Sequence, residues 1–207
     1  MKKELELYLH IPFCIRKCEY CDFLSGPADE KSRRVYLDAM LRELAAVGPQ
    51  AKEYEVISVY IGGGTPSLLP GDWMEELMEV VRDTYCLKKD AEISMEANPG
   101  TLTAINLAGY HRAGINRLSL GCQSTDDTEL KLLGRIHTWE EFLKSFFMAE
   151  EAGRALWERL EAHHKAGYLS LHMPGHKENA ALAPYLARLG AELDITELPE
   201  FDDLHDP

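Results

Sequence analysis

The sequence predicts an α/β fold: a parallel sheet of about four strand-helix units, followed by a short helix-rich tail. The first observation behind this prediction is that strand-like apolar segments alternate with amphipathic helical ones, which is the pattern of parallel sheets. The second is that glycine and polar residues follow each predicted strand. Ligand sites of parallel α/β folds form at those strand ends.

The first two strand-helix units follow from residue periodicity. Glu4 to Ile11 alternates in apolar character, which predicts a strand that stops at Pro12. Glu30 to Val47 has helical periodicity, and Tyr54 to Ile61 predicts a second strand that runs into three glycines. The segment from Pro70 to Tyr85 is expected to be the next helix.

The next unit and the fourth strand are shorter. Ala91 to Ala97 predicts the third strand. Either Thr101 or Thr103 can cap the helix that follows and runs through His111. Ile115 to Gly121 predicts the fourth strand.

Three helical segments complete the predicted order. Asp126 to Leu133 is the first, and Thr138 to Ala152 is the second, where Thr138 and Glu141 form a capping-box pattern. Arg154 to Lys165, in the tail, is also helical by its pattern of apolar residues.

Composition narrows the class of protein. A chain of 207 residues with 45% hydrophobic residues can bury a sizeable core. The formal net charge is -13 and the basic residues do not cluster, so no nucleic-acid partner is expected. No apolar run in the sequence is long enough to cross a bilayer, and we expect no signal peptide. We therefore expect a cytoplasmic protein without a membrane span.

Cys14, Cys18 and Cys21 lie directly after the first predicted strand. Three thiolates this close can bind one soft metal centre, and they suggest an iron-sulfur cluster with one iron not bound by protein. A zinc site is the alternative, with His10 as fourth ligand, although no second Cys or His pair stands at ligand spacing. Disulfides are disfavoured because the five cysteines are an odd number and these three are crowded.

Residues after the other strands are candidates for the same site. The segment GGGTP starts at Gly62, and its glycines let a backbone approach a ligand closely, although any tight turn has the same need. Glu96 and Gln123 lie at the ends of the third and fourth strands. They are placed to receive polar groups of a cofactor; the alternatives are a capping carboxylate and a solvated amide.

The segment from Leu7 to about Gly153 resembles the amino-terminal part of the radical S-adenosylmethionine (SAM) enzymes. Within them it is similar to the oxygen-independent coproporphyrinogen III oxidase-like family. The three cysteines meet its C-x3-C-x2-C signature, with Tyr20 just before the last. The oxidase branch has a further cysteine two positions later, where this chain has Phe23. The resemblance therefore favours the heme chaperone branch over oxidase activity.

The resemblance implies a partial TIM-type barrel and two cofactors. The three thiolates would hold a 4Fe-4S cluster whose fourth iron chelates SAM, and an electron from the cluster would cleave SAM to a 5'-deoxyadenosyl radical. For Arg135, bidentate pairing with a carboxylate is the expected contact, and a surface cation is the alternative. The residues that match the family's SAM contacts are Tyr8, Gly63, Gly64, Thr65, Glu96, Gln123 and Arg135.

After Gly153 the tail resembles the amino terminus of the Orn/Lys/Arg decarboxylases, in SLHMPGHK and DITELPEFDDLHDP. Those enzymes use pyridoxal phosphate, but their cofactor lysine lies in a domain that this chain lacks. The predicted domains are thus a truncated radical SAM core, 1–153, and a decarboxylase-like fragment, 154–207. Heme stays a candidate ligand, although the family's heme-associated motif, HNxxYW, is absent from the sequence.

The expected function is binding of a 4Fe-4S cluster and SAM, of the heme chaperone type and impaired by truncation, with no catalytic residue assigned. The alternatives are a non-catalytic chimeric fragment without cofactor and, more weakly, a pyridoxal phosphate-dependent decarboxylase fragment. Four strands would leave a sheet edge open to oligomerisation. Tyr168 to Met173 is strand-like and could cover that edge beside Ile115 to Gly121.

Overall fold

The computed structural model describes residues 2–160 and 168–172, with side chains described through residue 153. Five strands and five α-helices lie in these ranges. The strands are β1 (Lys3–Ile11), β2 (Tyr54–Gly63), β3 (Leu87–Ala97), β4 (Arg117–Gly121) and β5 (Tyr168–His172). The helices are α1 (Glu30–Val47), α2 (Gly71–Thr84), α3 (Ala104–Arg112), α4 (Asp127–Leu132) and α5 (Trp139–Leu160).

The five strands form one parallel sheet in chain order, β1-β2-β3-β4-β5. This confirms the predicted α/β class and the alternation of strands with helices. β5 pairs with β4 in register from Arg117↔Tyr168 to Gly121↔His172. The prediction of a fifth strand beside β4 is therefore confirmed, and the edge of β4 is covered.

Successive side chains of a strand point to opposite faces of the sheet, and here the two faces differ in chemistry. One face carries the apolar core, with side chains such as Ile11, Ile61 and Met95 that are completely buried. The other face is polar. There the Ser94 hydroxyl donates to the Glu92 carboxylate at 2.7 Å and Arg117 donates to it at 2.9 Å; the bond from Ser94, and then that from Arg117, lowers the pKa of the Glu92 carboxyl.

Helix starts follow the predicted capping residues. The Thr103 hydroxyl accepts the Asn106 N–H at 3.1 Å, so Thr103 rather than Thr101 caps α3. The capping box of α5 is confirmed: the Glu141 N–H donates to the Thr138 hydroxyl at 3.2 Å, and the Thr138 N–H donates to the Glu141 carboxylate at 2.8 Å.

The end of α5 departs from the sequence prediction. A helix ending at Ala152 and a separate helical segment from Arg154 were expected, whereas α5 runs unbroken from Trp139 to Leu160. Gly153 therefore lies inside a helix. One glycine costs only about 1 kcal/mol relative to alanine, too little to end a helix whose flanking residues favour it.

Two strands also differ at their starts. β3 begins at Leu87 rather than Ala91, because Leu87 already pairs with Val56 of β2. β4 begins at Arg117 rather than Ile115. The side chain of Asn116 bonds the backbone of β3, accepting the Ile93 N–H and donating to the Ala91 carbonyl, which replaces strand pairing there.

The predictions for residues 161–167 and 173–207, which include most of the decarboxylase-like motifs, lie outside the described residues. Within residues 2–160 and 168–172, we find no helix with the length and apolar character needed to cross a membrane.

Candidate functional site

A cavity of about 260 Å³ lies at the carboxyl ends of β2, β3 and β4. Among the predicted site residues, all within the described part of the chain, only Tyr8 does not line this cavity. The structure thus brings together ten residues that are distant in sequence. They are Cys14, Cys18, Cys21, Gly63, Gly64, Thr65, Glu96, Gln123 and Arg135, with Asn98, which the sequence did not single out.

The cysteines lie on a loop, residues 12–28, which we call the cysteine loop. Its ends are tied by backbone hydrogen bonds, from Cys14 N–H to the Gly26 carbonyl and from Gly26 N–H to the Pro12 carbonyl, both 3.0 Å. A turn in which Cys21 N–H donates to the Cys18 carbonyl at 3.1 Å brings those two residues together. All three thiols are free and half-buried.

Three cysteine thiols on one loop are the donor set that binds iron-sulfur clusters. No three His, Cys, Asp or Glu side chains of the described residues stand close enough together to hold one metal ion. In a 4Fe-4S cluster each thiolate binds a different iron, so its sulfurs surround a cavity without meeting at a point. His10, the fourth ligand of the zinc alternative, has both ring nitrogens occupied, by the Tyr8 hydroxyl at 3.1 Å and the Leu24 carbonyl at 3.4 Å.

The glycines of GGGTP let the cysteine loop pack against the sheet. A Cβ on Gly64 would lie 2.5 Å from the Phe13 carbonyl oxygen and 2.9 Å from Cys14 Sγ. Gly63 has a φ of 121°, a conformation that favours glycine. Ligand approach at these glycines stays a prediction; the structure shows that they admit the backbone of the cysteine loop.

The Glu96 carboxylate is held by two donors. The Tyr60 hydroxyl donates to Oε1 at 2.8 Å and the Gly63 N–H donates to Oε2 at 2.9 Å. Burial, and then the bond to Glu96, raises the pKa of Tyr60 well above its usual range, so the phenol keeps its proton. Tyr8 is 58% exposed, and its ring stacks on that of Tyr60 with centroids 6.1 Å apart. Tyr8 therefore lies outside the cavity wall and is connected to Glu96 through Tyr60.

Arg135 is half-buried in the cavity wall and is not a surface cation. Its Nη2 donates to Asn98 Oδ1 at 2.8 Å and to the Gly121 carbonyl at 3.1 Å, which uses both Nη2 protons. Its Nη1 donates to Cys18 Sγ at 3.6 Å, and its buried Nε has no partner. Bidentate pairing with a carboxylate through Nη2 would therefore require one of these bonds to break.

Asn98 is the residue that sequence reasoning missed most clearly. Its Nδ2 donates to Thr65 Oγ1 at 2.8 Å, and Thr65 Oγ1 donates to Cys14 Sγ at 3.7 Å. Asn98 thus connects the ends of β2 and β3 with Arg135. In the sequence, Asn98 directly follows the third predicted strand, which is a common place for asparagine.

Gln123 and His137 complete the β4 side of the cavity. Gln123 has a φ of 67°, and its buried Oε1 has no hydrogen-bond partner. His137 is buried, with Nε2 at 3.2 Å from the Cys122 carbonyl; since that oxygen can only accept, Nε2 carries the proton. Burial, and then Arg135, lowers the pKa of His137 to about 4, so it is neutral near pH 7. Nothing in the sequence pattern distinguished His137.

Known proteins resemble this chain in sequence and in fold. The family model described as Radical SAM superfamily matches residues 8–174. The chain is 45% identical over 150 residues to the heme chaperone HemW of Escherichia coli (strain K12), which covers 72% of this chain and 40% of that protein. It is 38% identical over 154 residues to the heme chaperone HemW of Haemophilus influenzae, with the same 72% and 40% coverage.

Among solved structures, the chain is similar to the coproporphyrinogen III oxidase HemN of Escherichia coli, a radical SAM enzyme. The TM-score is 0.68 at 24% identity, and the match covers 93% of this chain and 52% of that chain, which shows the fold. The chain spans about two fifths of the length of the curated relatives above. The family match continues past Gly153 through β5, and the domain boundary at that residue stays a prediction.

Proposed function

Because this chain belongs to the radical SAM superfamily, we propose that Cys14, Cys18 and Cys21 hold a 4Fe-4S cluster and that the cavity beside them binds SAM. The observation that carries the proposal is that three free cysteines line one cavity together with the ends of β2, β3 and β4. When bound, such a cluster supplies one electron to the sulfonium of SAM.

The side chains around the cavity offer groups that suit SAM. The unpartnered Oε1 of Gln123 is an acceptor for an amino or hydroxyl group of the ligand. Each Glu96 oxygen accepts one hydrogen bond from the protein and keeps a lone pair for the ligand. Arg135 contributes positive charge beside Cys18 and an unused Nε–H. Together these groups would orient the amino acid part of SAM near the cluster.

The finer part of the proposal is a role of the heme chaperone type. Two curated relatives carry that name, and Phe23 stands where the oxidase branch has its extra cysteine. On the same resemblance, we propose that the protein binds heme and is cytoplasmic. Titration of the purified chain with hemin, followed by its Soret absorbance, tests the heme part; an absorbance equal to that of free hemin would contradict it.

Anaerobic reconstitution with iron and sulfide tests the cluster and the SAM site. We expect about four iron and four sulfide per chain, a visible absorbance band, and an EPR signal after reduction that changes when SAM is added. The Cys14→Ala variant should lose this cluster. Cys86→Ala is the matched control, because Cys86 is an exposed free thiol outside the site, and it should reconstitute like the unchanged chain.

Three outcomes would contradict the proposal. If the chain takes up no iron or sulfide, the alternative of a non-catalytic chimeric fragment without cofactor would be favoured. Stoichiometric zinc that resists replacement by iron would favour the zinc site. Absorbance of a Schiff base after addition of pyridoxal phosphate would favour the decarboxylase-like fragment.

A further inference from the structure

We infer that Arg135 sets the direction of a hydrogen-bond relay, through Asn98 and Thr65, that ends on Cys14 Sγ and raises the reduction potential of the bound cluster. The inference rests on the proposed function, since it concerns a cluster held by Cys14 and Cys18. In this inference Asn98 and Thr65 are positioning residues: they act on the cluster through Cys14, and they do so without SAM.

The direction of the relay is fixed at the Arg135 guanidinium. A guanidinium donates hydrogen bonds and accepts none, so the atom of the Asn98 amide that faces Arg135 Nη2 at 2.8 Å must be the oxygen. The other end of the amide is then NH₂, and it faces Thr65 Oγ1 at 2.8 Å. Arg135 thereby fixes which way the Asn98 amide points.

The amide in turn directs the hydroxyl proton of Thr65. An NH₂ group can only donate, so Thr65 Oγ1 accepts on the Asn98 side. Its single proton is then free for another acceptor, and Cys14 Sγ lies 3.7 Å away. Thr65 is only 3% exposed, so water has little access to compete for this proton.

Arg135 also acts on a second sulfur without an intermediary. Its Nη1 donates to Cys18 Sγ at 3.6 Å. One cation therefore directs hydrogen bonds to two of the three sulfurs, while Cys21 Sγ accepts none from the described residues. Hydrogen bonds to cluster sulfurs offset negative charge and are among the features that set the potential of iron-sulfur clusters. Removing such a bond should make the cluster harder to reduce.

EPR-monitored potentiometric titration of the reconstituted chain without SAM tests the last step of the relay. Thr65→Val removes the proton and keeps the shape. We expect a roughly tenfold lower ratio of reduced to oxidised cluster at a fixed ambient potential, which is about 59 mV for a one-electron couple. Thr65→Ser keeps the hydroxyl and should keep the potential. Thr101→Val is the matched control. Thr101 also lines the cavity, but its hydroxyl donates to the backbone carbonyl of Asn98 and not to sulfur.

Asn98→Asp tests the direction of the relay. A carboxylate keeps an oxygen toward Arg135 but presents an acceptor to Thr65, whose proton should turn away from Cys14. The added negative charge also lowers the potential, so the decisive measurement is the double variant with Thr65→Val. We expect the shift caused by Asn98→Asp to be smaller in the Thr65→Val background than in the unchanged chain, because the hydrogen bond can be lost only once.

The outcomes separate this inference from the proposed function. If the unchanged chain binds no cluster, the proposed function fails. If a cluster forms but Thr65→Val has the same midpoint potential as Thr101→Val, the hydrogen bond to Cys14 does not tune it. Strictly additive shifts in the double variant would show that Asn98→Asp acts by charge alone, which would overturn the directed relay.

Discussion

The two sides of the cavity are built in opposite ways. One side, which we call the strand-end wall, consists of residues 62–65, 96–98, 121–123 and 135–137, and hydrogen bonds through Asn98, Glu96 and Arg135 hold it together. The other side is the cysteine loop, whose ends are tied by backbone bonds and most of whose large apolar side chains face solvent. Phe23 is 64% exposed and Leu24 is 88% exposed.

This difference indicates where the geometry of the site comes from. The strand-end wall is fixed by the sheet and by its internal hydrogen bonds, so it is formed before any ligand binds. The cysteine loop takes its position from that wall, through the glycines it packs on and the donors that reach Cys14 and Cys18. Changes to the wall should therefore disturb the sulfurs more than changes to the exposed part of the loop.

The largest effect is expected where the loop and the wall touch. In Gly64→Ala the new methyl group would meet the Phe13 carbonyl oxygen at 2.5 Å, a backbone atom that can move only with the whole loop. We expect a loss of about 3 kcal/mol in the free energy of unfolding, at the upper end for overpacking, and loss of most of the cluster on reconstitution. Urea unfolding and iron analysis measure the two effects.

Gly26→Ala is the matched control for this change. Gly26 also belongs to the cysteine loop, but a Cβ there would meet no atom within 4 Å. Its variant should keep both stability and iron content. Equal losses in the two variants would mean that any alanine in the loop region is harmful, and that the contact with the wall is not special.

A smaller effect on the free energy of unfolding is expected when the pH is lowered, because His137 of the strand-end wall then takes up a proton on unfolding. The pKa of His137 is lowered from 6.5 to about 4, so between these values the unfolded chain binds a proton that the folded chain excludes. The free energy of unfolding should therefore decrease as the pH falls from about 6.5 toward 4, and the loss should reach roughly 2 kcal/mol at about pH 5. Urea unfolding at a series of pH values measures this loss.

His137→Gln should remove much of that acid sensitivity, because an amide can donate to the Cys122 carbonyl and does not titrate. His111→Gln is the control. His111 lies on α3, away from the site, and its pKa is lowered mainly by partial burial. An acid profile of His137→Gln that coincides with that of the unchanged chain would show that His137 does not destabilise the wall at low pH.

Sequence reasoning reached the architecture and most of the site because both follow from local patterns. Alternating apolar residues located β1 and β2, and the capping box located the start of α5. Polar residues at strand ends converge in any parallel sheet, so Glu96 and Gln123 could be placed at the cavity without coordinates. These predictions needed only the period of a strand and the topology of the sheet.

The missed residues are those whose role depends on a partner distant in sequence. Asn98 is ordinary after a strand, and only its 2.8 Å contact with Arg135 makes it the centre of the wall. The Tyr60 hydroxyl can donate to Glu96 because β2 pairs with β3, which brings the two side chains together. Each case turns on tertiary contacts that local propensity does not contain.

The smallest effect is expected at the exposed tip of the cysteine loop. In Leu24→Ser an apolar side chain that is 88% exposed is replaced by a small polar one, and little buried area is lost. The free energy of unfolding should change by less than about 0.5 kcal/mol, and cluster content should be unchanged, because the Leu24 carbonyl that contacts His10 remains. Leu120→Ala in β4, where the side chain is 1% exposed, is the control and should cost about 2–5 kcal/mol. If Leu24→Ser instead lowered stability or iron content to a similar degree, the loop would depend on its own apolar contacts, and the wall would not be what positions the sulfurs.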